Sequence, residues 1–143
     1  MQQSMNDGWQ VKNLAARNGV TPDVVRYYTR IGLLHPQRAA NGYRVYGRND
    51  ERHLQFIVKA KRLGYTLQEI ETLLKDAQKG RSPCPSARHI LRDRVTHHRQ
   101  KLDAMLALQN RIERALAAWD SLPDRLPDGD AICHLIEQFI EPE

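Results

Sequence analysis

The chain has 143 residues, 41% of them hydrophobic, and its 22 Lys and Arg against 17 Asp and Glu give a formal net charge of +5. That length suits one compact head with an extended arm, and it leaves little apolar material for two large domains or an enclosed substrate pocket. Residues 1–80 hold 13 basic and 7 acidic side chains and residues 81–143 hold 9 and 10, so the positive field sits on the first half, where contact with a polyanion would need it.

From Trp9, the residues Val11, Leu14 and Ala15 recur at helical spacing, and Gly19 supplies the positive φ of a helix stop. Thr21 is a natural N-cap with Pro22 at the first helical position, opening a second short helix that ends at Gly32. Two short helices about a glycine turn make a helix-turn-helix, whose second member enters the major groove of DNA. Val24, Val25 and Ile31 are expected to face inward. That leaves Arg26, Tyr27, Tyr28 and Arg30 for the outside and its margins. Arginine forks onto guanine or phosphate, and tyrosine reaches phosphate and sugar. In isolation such a helix could equally be amphipathic with solvated arginines; the capped helix and turn before it favour DNA contact.

Beyond Pro36, Gln37 to Tyr46 reads as two strands around Asn41-Gly42, a pair suited to a type I′ turn in which both residues are left-handed. Alternation separates Tyr43 and Val45 from Arg44 and Tyr46. Tyr43, Arg44 and Tyr46 are the expected phosphate contacts of this hairpin, or wing. Asn49 is expected to cap a helix through Leu63, with Leu54, Ile57 and Val58 inside and Lys59, Lys61 and Arg62 outward toward DNA. Gly64 stops it. Thr66-Leu67-Gln68-Glu69 is a capping box for a helix with Ile70, Leu73 and Leu74 on one side.

After Gly80 the period lengthens. Leu91, Val95, His98, Leu102, Met105, Gln109, Ile112, Leu116 and Trp119 follow at steps of four and three, with no Pro or Gly from Ser86 to Trp119. Such a rod would be roughly 50 Å long at about 1.5 Å per residue. The small head cannot cover a stripe of that length, so a partner helix, and hence a homodimer, is expected. His98 and Gln109 interrupt the seam as polar residues that fix register or orientation.

The two cysteines differ in setting. Cys84 lies at or just before the start of the long helix, where the helix N-terminus, Arg81 and Arg88 all favour thiolate. Cys133 follows a Pro/Asp-rich loop and precedes His134. No apolar run reaches membrane-spanning length and no secretory hydrophobic stretch opens the chain, so a cytoplasmic, nucleoid-associated protein with no membrane partner is expected. Phosphate-cradling glycine loops, metalloprotease helices and nucleophile elbows are all missing, which argues against an enzyme.

Four segments together resemble the MerR family of bacterial transcription regulators: Val24-Val25-Arg26-Tyr27-Tyr28, Ile31-Gly32-Leu33-Leu34, Asn41-Gly42-Tyr43-Arg44-Val45-Tyr46, and Leu63-Gly64-Tyr65-Thr66-Leu67-Gln68-Glu69-Ile70. The resemblance covers about half the chain. It implies a mostly α protein with a winged helix-turn-helix DNA-binding domain at 8–80, an antiparallel coiled-coil dimerisation helix at 81–119 and a C-terminal effector loop and short helix at 120–143. It also implies double-stranded promoter DNA and RNA polymerase as partners, with distortion of an over-long promoter spacer on receipt of a signal. Metal-sensing relatives carry one cysteine at the rod's start, one early in the following loop and one late. Cys84 matches the first and Cys133 the last, while Trp119-Asp120-Ser121 stands where the middle one would be. In an antiparallel dimer, Cys84 of one copy and Cys133 of the other can share a thiophilic ion (Zn²⁺, Cd²⁺, Hg²⁺ or Cu⁺), with His134 as the third candidate ligand and His89 as a further one. The alternative signal is a small organic ligand held by Trp119, Leu122, Ile132, Leu135, Ile136 and Phe139. An iron–sulfur cluster needs four cysteines and is excluded.

Overall fold

The computed structural model describes residues 8–141. Its elements run α1 (Val11–Arg17), α2 (Pro22–Arg30), β1 (Gln37–Arg38), β2 (Arg44–Val45), α3 (Arg48–Arg62), α4 (Leu67–Gln78), α5 (Cys84–Trp119) and α6 (His134–Glu137). The fold is mostly helical with one small antiparallel hairpin. It divides into two compact units, the first closing at Ala87 and the second opening at Arg88. No helix among the described residues is long and apolar enough to cross a membrane.

In the first unit, Gly19 at φ +66° ends α1 and lets Val20 N–H return to the Ala15 carbonyl at 3.1 Å. Thr21 Oγ1 then accepts Val24 N–H at 3.3 Å and caps α2. The inner face of α2 is Val25 and Tyr28, three residues apart. Ile31, expected inward, is 39% exposed because the helix has already ended at Arg30 and Ile31 is its C-cap; Val24 is only half-buried. The core gathers Leu14, Val25, Leu34, Leu54, Ile57, Ile70 and Leu73. Each such side chain stabilises the fold by about 1.5–3 kcal/mol relative to exposure.

The hairpin forms where expected but turns differently. Gly42 alone is left-handed, at φ +84°, and no described non-glycine residue has positive φ. Gly42 N–H bonds to Ala39 O at 2.9 Å and Ala39 N–H to Tyr43 O at 2.8 Å, which makes a three-residue loop, Ala40-Asn41-Gly42. Asn41 is spared the left-handed region because its Oδ1 accepts Tyr43 N–H at 3.1 Å instead. The register consequently pairs Arg38 with Arg44 and Gln37 with Val45, one residue away from the pairing a two-residue turn would impose. Trp9 extends the hairpin: its N–H and C=O exchange 2.8 Å bonds with Tyr46.

The cap of helix α3 lies two residues before Asn49. Gly47 is the N-cap, and since it has no side chain, the capping acceptor is Asp50, whose Oδ2 takes Gly47 N–H at 3.0 Å. The other oxygen of Asp50 takes His35 N–H at 2.9 Å, so one buried carboxylate joins the loop after α2 to the root of the wing. At α4 the capping box is present in both directions, Thr66 N–H to Glu69 Oε1 at 2.8 Å and Glu69 N–H to Thr66 Oγ1 at 3.1 Å. Buried Tyr65 donates its hydroxyl to Ala87 O at 2.7 Å, fixing the first turn of α5.

In the second unit, only Ala115 of α5 is buried. Val95, Leu102, Met105, Ile112 and Leu116 are all between 45% and 68% exposed, so within one chain the heptad seam is uncovered. The C-terminal segment instead folds onto a neighbouring face of the same helix. Phe139 meets Trp119 edge-on at 6.0 Å, and Arg111 pairs with Glu141.

Candidate nucleic-acid interface

The exposed face of α2 carries Arg26, Tyr27 and Arg30. The Arg30 guanidinium lies 5.2 Å from the centre of the Tyr27 ring, and Arg26 Nη1 sits 3.0 Å from Asp23 Oδ1. Both arginines are thereby oriented but remain solvent-facing, and either can exchange its partner for a phosphate or a base edge. Thr21 is exposed beside them; its Oγ1 accepts the cap bond, which leaves the hydroxyl hydrogen able to donate outward. On the wing, Tyr43 is 64% exposed and Arg44 is exposed.

Two expected contacts are corrected. Tyr46 is wholly buried, and its hydroxyl is 2.7 Å from Thr29 Oγ1. Thr29 spends its own hydrogen on the Val25 carbonyl at 2.8 Å, so Tyr46 is the donor. Tyr43 and Arg44 lie outward as expected, whereas Tyr46, paired with Trp9, enters the core and ties the wing root to α2. Tyr28 is also buried, at 9% exposure. Burial, and secondarily the neighbouring Tyr27, push its phenol above its ordinary pKa. Neither ring is part of the surface, and both instead position it.

Lys59, Lys61 and Arg62 are exposed on the last turn of α3, where cations also complement the helix dipole. Sequence reasoning missed Arg38. The shifted register sets it opposite Arg44, both side chains exposed, with Arg38 Nη1 also donating to Gly42 O at 3.1 Å. Like charges directly across a strand pair are unfavourable unless an anion lies near them. The turn geometry was the signal that could have revealed this pair. Elsewhere in the first unit, Glu51 takes Arg17 Nε at 3.0 Å and Asn18 Nδ2 at 3.0 Å, and the Arg17 hydrogen bond holds its carboxyl below the ordinary range. Arg17 in turn covers the Trp9 ring at 4.4 Å.

The three candidate metal ligands do not form a site within one chain. Cys84, the first residue of α5, is an exposed free thiol; Cys133, the N-cap of α6, is a half-buried one. His134 turns inward, with Nε2 3.3 Å from Asp128 Oδ2. Among the described residues no three His, Cys, Asp or Glu side chains gather where a metal ion could sit. A closed soft-metal site would therefore need donors from a second copy. Of the seam residues, Leu91 is half-buried, His98 and Gln109 are exposed, and Trp119 is half-buried against Phe139. Gln109 donates to Glu113 Oε1 at 3.0 Å.

Comparison with known proteins agrees with this arrangement. Residues 10–77 match the family described as MerR HTH family regulatory protein, and residues 51–120 match the one described as MerR, DNA binding. The chain is 30% identical to a mercuric resistance operon regulatory protein of Bacillus cereus over 93% of its own length and 98% of the relative's. It is 32% identical to a heavy metal-dependent transcription regulator 1 of Rhizobium meliloti (strain 1021), over 82% of this chain and 71% of the relative. In fold it is similar to the transcription regulator PbrR691 from Ralstonia metallidurans CH34, solved in complex with lead(II). The TM-score is 0.71 and the identity 20%, covering 92% of this chain and 99% of that one.

Proposed function

The chain belongs to the MerR family of DNA-binding transcriptional regulators, and from that premise we propose that it binds a promoter as a homodimer and distorts it in response to a thiophilic signal. The observation that carries the DNA reading is the α2–wing face, where Arg26, Tyr27 and Arg30 are exposed in the same unit as a hairpin bearing Arg38 and Arg44. Arg26 and Arg30 supply base-edge or phosphate contacts, Thr21, Tyr27 and Tyr43 supply phosphate or sugar contacts, and Lys59, Lys61 and Arg62 add to the field. Tyr28, Tyr46 and Asp50 hold these groups in place. The uncovered seam on α5 supports pairing of two copies, which sets two heads along one duplex. A MerR family regulator of similar fold has been solved bound to promoter DNA. Realigned promoter elements are then presented to RNA polymerase.

The signal reading rests on the free thiols Cys84 and Cys133, and on relatives whose names concern mercury and heavy metals. Cys84 with Cys133 of the partner subunit, and His134 if it rotates outward, would receive a soft cation or a thiol-reactive species. Two measurements test the proposal. Arg26→Ala and Arg44→Ala should each weaken operator binding and lower the magnitude of the log–log salt slope by about 0.9; parent-like binding at all salt concentrations overturns the interface. Reduced, metal-free protein titrated with Zn²⁺, Cd²⁺, Hg²⁺ and Cu⁺ should show an ultraviolet thiolate-to-metal band. Absence of the band, with promoter output unaltered by Cys84→Ser and Cys133→Ser, overturns the signal.

A further inference from the structure

The two halves of α5 flank its seam with different chemistry. Beside Leu91, Val95, His98 and Leu102, the flanking helix positions are Arg92, Arg94, Arg99 and Lys101. In the second half the corresponding positions are Leu106, Leu108, Glu113 and Ala115. Leu106 and Leu108 are exposed although they lie off the seam, so the uncovered apolar strip widens where the basic flanks stop. A parallel second copy would set Arg94 against Arg99 of the partner subunit, like charges at positions that govern orientation. An antiparallel copy instead lays the aliphatic stems of Arg99 and Lys101 over the partner's Leu106 and the partner's Leu108. It also brings Arg92 to the partner's Glu113.

Orientation leaves the register open, and two polar residues close it. His98 and Gln109 interrupt the seam, and both are exposed in the single chain. Pairing takes them out of water, and a polar side chain desolvated against an aliphatic one loses its hydrogen bonds and gains none. One antiparallel register stacks the two on each other, His98 on the partner's Gln109 and, by the two-fold axis, Gln109 on the partner's His98. The same register matches Leu91 with the partner's Leu116, Val95 with the partner's Ile112 and Leu102 with the partner's Met105. Sliding by one heptad in either direction puts His98 on the partner's Leu102 or the partner's Leu116. Gln109 Nε2 donates to Glu113 Oε1 at 3.0 Å, which leaves the amide oxygen to accept an N–H of the partner's His98.

We propose that α5 pairs with a second copy of this chain in that one register, with His98 against the partner's Gln109 as its specificity device. The proposal rests on the homodimer of the functional reading and adds the residue pairs through which it forms. Arg88, three residues before Leu91 on the seam, then meets the partner's Trp119 as a cation over a ring. That pairing accounts for a charge at a seam position. A related chain with aliphatic residues at the two polar positions would leave His98 and Gln109 without partners, so the surface favours its own kind over such a relative.

The test is disulfide cross-linking of the full chain, with diamide as oxidant, in a Cys84→Ser/Cys133→Ser background. Val95→Cys/Ile112→Cys should cross-link two copies; within one helix these positions are about 25 Å apart at about 1.5 Å per residue and cannot join. Leu91→Cys/Leu116→Cys repeats the test at a second layer should the first variant fail to pair. Val95→Cys/Met105→Cys, one heptad out of register, and Val95→Cys alone, which only a parallel pair would join, should not cross-link. By sedimentation equilibrium, His98→Leu should weaken the dimer about tenfold, and His98→Leu/Gln109→Leu should restore it. A dimer that cross-links in either control, or in neither predicted pair, overturns the register while leaving the homodimer standing. A parent that sediments as a monomer overturns both. A His98→Leu dimer as tight as the parent, or a double variant no tighter than the single, overturns the polar layer.

Discussion

Removing the carboxylate of Asp50 should loosen the joint between the loop after α2 and the root of the wing. His35 N–H and Gly47 N–H converge on it at 2.9 and 3.0 Å, and the residue is 7% exposed. A hydrogen bond to a charged acceptor contributes about 1.5–3 kcal/mol. His35 is itself exposed and Gly47 half-buried, so both freed N–H groups can recover some hydration in the variant. Asp50→Ala is therefore expected near the lower end of the two-bond sum, about 3 kcal/mol. Asp50→Asn keeps one acceptor oxygen and should cost about half as much, about 1.5 kcal/mol. In urea these correspond to midpoint shifts of about 1–2 M and 0.5–1 M at slopes of about 1.5–3 kcal/mol/M. Far-UV circular dichroism at fixed protein concentration measures the shifts, and fluorescence anisotropy on an operator duplex measures the accompanying loss of affinity. An alanine variant that loses less than about 1 kcal/mol, or an asparagine variant as damaged as the alanine one, would refute the two-bond role.

Leu102→Asp should abolish the dimer, because pairing would desolvate a carboxylate at a cost of several kcal/mol per copy; sedimentation equilibrium that still finds an intact dimer contradicts the seam. Tyr46→Phe should cost about 0.5–1.5 kcal/mol through loss of the bond to Thr29 while leaving the salt slope of operator binding unchanged; a lower slope at parental stability would return that ring to the interface. Glu51 has a lowered pKa in the folded head through its bond to Arg17, so its contribution is complete above the unfolded carboxylate range of about 4.3 and is lost as pH falls through the folded value. Glu51→Gln should flatten the acid limb of the stability profile, and an acid limb identical to the parent's would contradict that linkage.

Apart from the start of α3, where Gly47 rather than Asn49 is the cap, the helix boundaries were legible because caps and stops are local chemistry. Thr21, Gly19, Gly64 and the Thr66–Glu69 box act within four residues of themselves. The heptad stripe was legible for a similar reason, since its period belongs to one helix. What escaped depended on contacts far along the chain. Tyr46 was misassigned because Trp9, 37 residues earlier, pairs with it. Asp50 was passed over because one of its donors is His35, in a loop with no periodicity to read. Asn41-Gly42 named the right turn region and the wrong register, since Asn41 can spend its side chain on Tyr43 N–H as easily as adopt a left-handed backbone. For the candidate metal ligands, sequence placed Cys84 at the start of the long helix and Cys133 just after the loop but could not foresee that His134 would turn toward Asp128.

The bare leucine, valine and methionine side chains along α5 make a second copy behave thermodynamically as a ligand for folding. Melting temperature should then climb with protein concentration. Dilution, as in a cell holding only a few molecules, would then weaken the fold itself.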